Sequence, residues 1–181
     1  MNHKTHRRMV TAAACAVALT GLAAPARSED PAQPTAGAWQ LKEEVSSLDG
    51  GTKISGILKS ANAVPNSIGN VDHAYLIIRC RDGQLVTYFS WPAYMGSGPA
   101  PVRWKIDQGS VMSGEWATSD SGNAIGFFRE RTARDFITKL AVAKTIVVEA
   151  AGYQSAPHEA RFDLDGVSEI AAKAIAACPG R

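Results

Sequence analysis

The chain has 181 residues, of which 45% are apolar and 20% charged, a length that leaves room for one domain of ordinary size. Its formal charge of +2 comes from 19 bases and 17 acids. Three of those bases (Lys4, Arg7, Arg8) and no acid fall in a predicted leader, leaving 16 bases against 17 acids. A balance of about −1 excludes the concentrated Lys/Arg footprint of a nucleic-acid binder and a polybasic membrane patch.

The leader comes first in chain order. His3, Lys4, His6, Arg7 and Arg8 make a cationic start, Met9 to Ala24 is apolar, and Ala24-Pro25-Ala26 has the small-x-small form a signal peptidase accepts. This predicts a signal peptide over residues 1–26, cleaved after Ala26. The apolar stretch is short and Ala-rich, whereas a membrane span needs about 20 clearly apolar residues, so no integral span is expected after cleavage. Arg7-Arg8 leaves both ordinary secretory and twin-arginine export open. Cys15 lies too early in the apolar region to mark a lipid anchor. The expected location is the periplasm, with release from the cell as the alternative.

Residues 27–37, with Arg27, Pro31, Pro34 and Gly37, form an expected flexible tether, and residues 38–181 form the domain. Trp39–Val45 is a predicted strand, Asp49-Gly50-Gly51 a turn, and Thr52–Leu58 extended again. Tyr75–Cys80 is an apolar run of strand length. Arg81-Asp82-Gly83-Gln84 should turn it back into Leu85–Phe89, because Asp-Gly between two β-formers signals a hairpin. Val102–Asp107 and Glu115–Ser119 are expected to pair antiparallel, flanked by loops around Met95–Pro101 and Gly109–Gly114. Ala124–Phe128 is a short strand. Ala133, Phe136, Ile137, Leu140 and Ala141 then recur at helical spacing behind Thr132 as expected N-cap. Thr145–Glu149 returns to strand and Ala160–Leu164 is expected to pair with it. A last helix follows Asp165-Gly166, with Val167, Ile170, Ala171, Ala174, Ile175 and Cys178 along one face. The order predicts an α+β, strand-rich single domain, a mostly antiparallel sheet system with two packed helices.

Cleavage would leave two cysteines, Cys80 and Cys178, 98 positions apart. In an oxidising compartment such a pair is expected to form a disulfide, and the absence of C-x-x-C weighs against a redox pair. No catalytic residue, metal site or cofactor is expected. His73 and His158 lack ligand spacing, no G-x-S-x-G frames a serine, and Gly96-Ser97-Gly98-Pro99 lacks phosphate-binding spacing. Asp163 and Asp165 suit turn formation and helix capping. Tyr88, Trp91, Tyr94, Trp104 and Trp116 concentrate in mid-chain. Core packing explains most of them, while Trp91 and Tyr94, beside the Pro/Gly loop, are candidates for an exposed contact patch.

An ordered series of short motifs then resembles the TagO/VasI group of periplasmic proteins associated with type VI secretion. Ser47-Leu48-Asp49 resembles its S-x-L-D turn, Leu76 through Cys80 its L-x-x-R-C strand, and Lys105-Ile106-Asp107 its basic-x-Asp strand. Trp116-Ala117-Thr118-Ser119 is similar to its W-x-x-S element, and Phe162 through Gly166 to the F-x-L-x-G lead into a final helix ending in cysteine. The resemblance runs from Trp39 to Cys178 and departs from the group at Lys105, where arginine is usual. It implies Lys105, Asp107, Trp116 and Ser119 as family-linked positions. The implied function is a non-enzymatic accessory protein that binds an envelope or secretion-system protein. The alternatives are a periplasmic enzyme or enzyme inhibitor acting on cell-wall material, and a secreted host-interaction factor.

Overall fold

Segments such as Thr145–Ala151, β-branched and alternating buried with less buried side chains, build this molecule. The computed structural model describes residues 35–36, 38–48 and 50–180. The expected signal peptide at 1–26, most of the tether at 27–37 and Asp49 of the expected turn lie outside the described residues.

The strands run β1 (Thr35–Ala36), β2 (Trp39–Val45), β3 (Thr52–Pro65), β4 (Val71–Arg81), β5 (Gln84–Ser90), β6 (Ala100–Ile106), β7 (Met112–Thr118), β8 (Ala124–Phe127), β9 (Thr145–Ala151) and β10 (Pro157–Asp163). Helix α1 (Glu130–Leu140) lies between β8 and β9, and α2 (Val167–Ala177) follows β10. All strands join one sheet in the order β1-β2-β3-β4-β5-β8-β7-β6-β9-β10, and every pairing is antiparallel. The expected strand-rich α+β domain with two packed helices is what the chain forms. Among the described residues no helix is long and apolar enough to cross a membrane.

The Asp-Gly hairpin forms where predicted. Asp82 and Gly83 take φ of 53° and 73°, so both central residues are left-handed, and Arg81 pairs with Gln84. The expected partnership of β9 with the following strand also forms, from Asp163↔Thr145 to Pro157↔Ala151. Several boundaries differ. β3 continues seven residues beyond Leu58, to Pro65. β7 begins at Met112, inside the expected 109–114 loop. Helix α1 starts two residues before Thr132, with Arg129 as N-cap, and the Thr132 hydroxyl donates to Arg129 O at 2.9 Å.

The long β3 has a structural purpose. Its pairing with β4 runs from Ile54↔Cys80 to Lys59↔Tyr75, then resumes at Ala63↔His73, so Ser60, Ala61 and Asn62 oppose Ala74 alone. The buried Ser60 hydroxyl repairs the ladder, donating to Asn62 O at 2.7 Å and accepting Ala74 N–H at 3.1 Å. The bulge turns Asn62 toward β10, at the far end of the sheet. There its Nδ2 donates to Glu159 O at 2.7 Å and its Oδ1 accepts Arg161 N–H at 2.9 Å. One side-chain amide thus takes both bonds that a neighbouring strand's peptide group would take, and the sheet curls until β10 meets the second half of β3, beyond the stretch paired with β2.

The core lies on the concave side. Phe89 stands at its centre, within 5.4 Å of the Trp116 and Phe162 rings and 6.5 Å of Phe136. Helix α1 buries Ala133, Phe136, Ile137 and Leu140, the stripe its spacing predicts. Helix α2 buries Val167, Ile170, Ala171 and Ala174, while Ile175 is only partly buried. It comes so close to β3 that a Cβ on Gly56 would lie 2.3 Å from Ile170 Cγ2, so only glycine fits. Cys178 sits one residue past the helix, at its C-cap, fully buried and bonded to Cys80 of β4 with a Cα–Cα distance of 5.8 Å. The expected disulfide therefore closes a separation of 98 residues, and Arg134 of α1 donates to the carbonyl of Cys178.

Candidate functional site: an aromatic groove beside an open strand edge

The β6–β7 hairpin pairs Ala100↔Trp116, Val102↔Gly114 and Trp104↔Met112, so these side chains share the concave face. Near the base of the hairpin Ala100, Val102 and Trp116 are buried. Further out the core no longer covers the face: Trp104 and Ile106 are partly buried and Met112 is 38% exposed. Across from them stands α1, with Thr132, Asp135, Phe136 and Lys139, and Phe127 at the end of β8 closes the floor.

The result is a groove of about 310 Å³, at the small end of ligand-site volumes. Its floor is a run of rings. Trp104 and Trp116 are 5.1 Å apart between centroids, Trp116 and Phe127 5.1 Å, and Phe127 and Phe136 4.5 Å. Space over the Trp104 ring exists because residue 114 is glycine; a Cβ there would rest 3.5 Å from the ring. Asp135 and Lys139 of α1 line the rim, while the side chain of Glu115, between Gly114 and Trp116, alternates to the outer face of β7. Such a surface takes an apolar or aromatic side chain, with one carboxylate, Asp135, and one ammonium, Lys139, at its margin.

The groove borders an incomplete strand pairing. On the edge away from β6, β7 meets β8 only at Ala117↔Gly126 and Thr118↔Ile125. β8 ends at Phe127 and the chain turns into α1, so among the described residues Met112–Glu115 have no strand beside them there.

The residues expected from sequence are dispersed. Trp116 lies in the groove floor. Lys105 faces the opposite, outer side of the sheet, in a shallow depression with Arg103, Glu149, Glu159 and Arg161. Asp107 has φ of 50° and clamps the start of β9: its Oδ1 accepts the N–H groups of Thr145 at 2.8 Å and Lys144 at 2.9 Å. Those bonds, first from Thr145 and then from Lys144, hold its carboxyl below the ordinary aspartate value. Ser119 closes the β7–β8 turn, its Oγ accepting Ala124 N–H at 3.2 Å. Asp107 and Ser119 are thus tied into the backbone of the fold.

The expected contact patch of Trp91 and Tyr94 requires correction. Trp91 is 3% exposed and its ring belongs to the core, because Trp91 N–H donates to Asn123 O and draws the residue inward. Tyr94 is 47% exposed and meets Tyr153 edge-on at 5.9 Å. Its partner on the surface is therefore a tyrosine from the β9–β10 loop. His73 engages the carbonyl of Ser60 through Nδ1 at 2.8 Å, and Asp163 accepts Asp165 N–H at 3.1 Å in the expected turn. Among the described residues no three His, Cys, Asp or Glu side chains cluster as metal ligands.

Sequence reasoning missed Gly114, Met112, Phe127 and Phe136 as groove residues. The available signal was a glycine two residues before Trp116, which thins a strand opposite an aromatic side chain.

No family model matches the chain, and no curated protein matches it. Among solved structures, invasion-associated protein B from Bartonella henselae superposes with a TM-score of 0.48 at 15% identity, covering 81% of this chain and 98% of that one.

Proposed function

We propose that the chain acts by binding, as a non-enzymatic accessory protein of the cell envelope, exported by its leader and working in the periplasm on a protein of a type VI-like secretion system. The observation that carries the binding reading is the aromatic groove, a run of packed rings of which Trp104 and Phe127 are only partly buried, with charged residues on its rim. Two others support the location and the system. The Cys80–Cys178 bond belongs to an oxidising compartment. The motif series from Ser47 to Gly166 resembles a type VI-associated group.

The test uses the full chain in its own cells, with a photocrosslinking residue placed at Met112. Cell fractionation is expected to place a chain beginning at Arg27, without free thiol, in the periplasm. Illumination is expected to join it to an envelope protein, and deletion of the chain to lower effector release. Normal effector release in the deletion strain, together with no envelope adduct in the strain carrying the crosslinker at Met112, refutes the proposal.

A further inference from the structure

We propose that the groove receives an extended peptide segment of a partner protein, added as a strand to the open edge of β7 between Met112 and Glu115. This rests on the binding reading and names the partner's chemistry.

The backbone makes the first argument. Along Met112–Glu115 the edge away from β6 has no strand among the described residues to pair its N–H and C=O groups. An added strand supplies that pairing, and strand addition draws its affinity from such main-chain bonds. The other free edges are treated differently. β10 is met by Asn62, the first half of β3 is covered by β2, and β2 carries Lys42-Glu43-Glu44 in succession. Consecutive charges protect an edge from pairing. β7 offers Met112-Ser113-Gly114-Glu115, next to Val111, which is 55% exposed. Neither lysine nor proline guards this edge.

The groove makes the second argument. An added strand sends alternate side chains to the concave face, and the one beside Gly114 falls over the Trp104 ring. Large apolar or aromatic residues at alternate positions therefore fit. The rim sets the flank: Asp135 and Lys139 of α1 stand there, and neither is in an ion pair among the described residues. The complementary peptide places a basic residue against Asp135 or an acidic one against Lys139, beside its apolar positions.

The test screens the oxidised mature protein against random peptides displayed on phage, then uses the enriched sequences as synthetic peptides. Enriched sequences are expected to alternate large apolar with polar or charged residues. Their binding is expected to slow amide exchange across residues 112–115. Gly114→Leu fills the space over Trp104 and should weaken binding at least about tenfold, the effect of losing one apolar anchor. Asp135→Lys, on the exposed rim, should weaken binding of the peptides that carry a basic residue without touching the core, and Lys59→Ala, exposed on β3, should leave binding unchanged. Retention of the disulfide and of the thermal transition shows that the variants fold. Peptides that bind while exchange at 112–115 stays the same, or that show helical periodicity, overturn strand addition and leave the binding reading standing. Self-association of the free protein with protection of 112–115 makes the occupant a second copy and overturns the peptide. Failure to enrich any peptide overturns the inference, and the envelope crosslink from Met112 decides separately whether the broader reading falls with it.

Discussion

Replacing both halves of the disulfide, Cys80→Ala with Cys178→Ala, tests what holds α2 to the sheet. The bond closes a separation of 98 residues. The chain-entropy relation gives about 16 cal/mol/K for such a loop, or about 5 kcal/mol at room temperature. Domains of this size are stable by about 5–15 kcal/mol, so the loss removes a third or more of the total. Both sulfurs are buried, and their removal adds a small cavity cost on top. Urea transitions of the oxidised and the double-alanine protein, followed by the fluorescence of buried Trp91 and Trp116, measure the difference. The midpoint should fall by the equivalent of several kcal/mol, and the slope m should rise because the unlinked unfolded chain exposes more surface. A loss below about 1 kcal/mol refutes the entropic reasoning. So does a large loss with unchanged m, which would place the effect in native contacts.

Three further perturbations probe the junctions of the fold. Gly56→Ala pushes a methyl into Ile170 Cγ2, 2.3 Å from its built position, and should cost about 1–3 kcal/mol in urea unfolding. Combining it with Ile170→Val should return part of that loss. Asn62→Ala removes both bonds across the sheet's meeting line and should cost about 1–3 kcal/mol, with faster amide exchange at Arg161 as its local signature. Asp107 has a carboxyl pKa lowered in the folded state, so its contribution is present above the ordinary aspartate value and lost as pH falls through the folded one. Wild type should therefore melt above Asp107→Asn near neutral pH, and the gap should close on acidification; a gap independent of pH refutes the assignment.

Elements written by local rules were legible in the sequence. The β4–β5 hairpin follows from Asp82-Gly83, the α1 stripe from the spacing of Ala133, Phe136, Ile137 and Leu140, and the disulfide from cysteine parity. What escaped was decided by partners distant in the chain. The second half of β3 alternates poorly and is extended because Ser60 and Asn62 find partners on β4 and β10. Trp91 and Tyr94 stand in the same loop with similar propensities, and only the packed structure separates a core ring from a surface one. The groove was hidden for the same reason: Phe136 has the periodicity of a core residue, and only the position of α1 against the β6–β7 hairpin leaves its edge uncovered.

The meeting of Asn62 with β10 also sets an order of events for the chain as it folds. The β4–β5, β6–β7 and β9–β10 hairpins need only local encounters. The contacts of Asn62 with Glu159 and Arg161 bring together residues 97 and 99 positions apart. Such closures come late, because the loop entropy is spent before the contact returns anything. Until then the outer edge of β10 is bare, a template for the wrong strand. A slow-closing amide thus defines the interval in which this domain is most exposed to aggregation, and a chaperone serving it would act on β10.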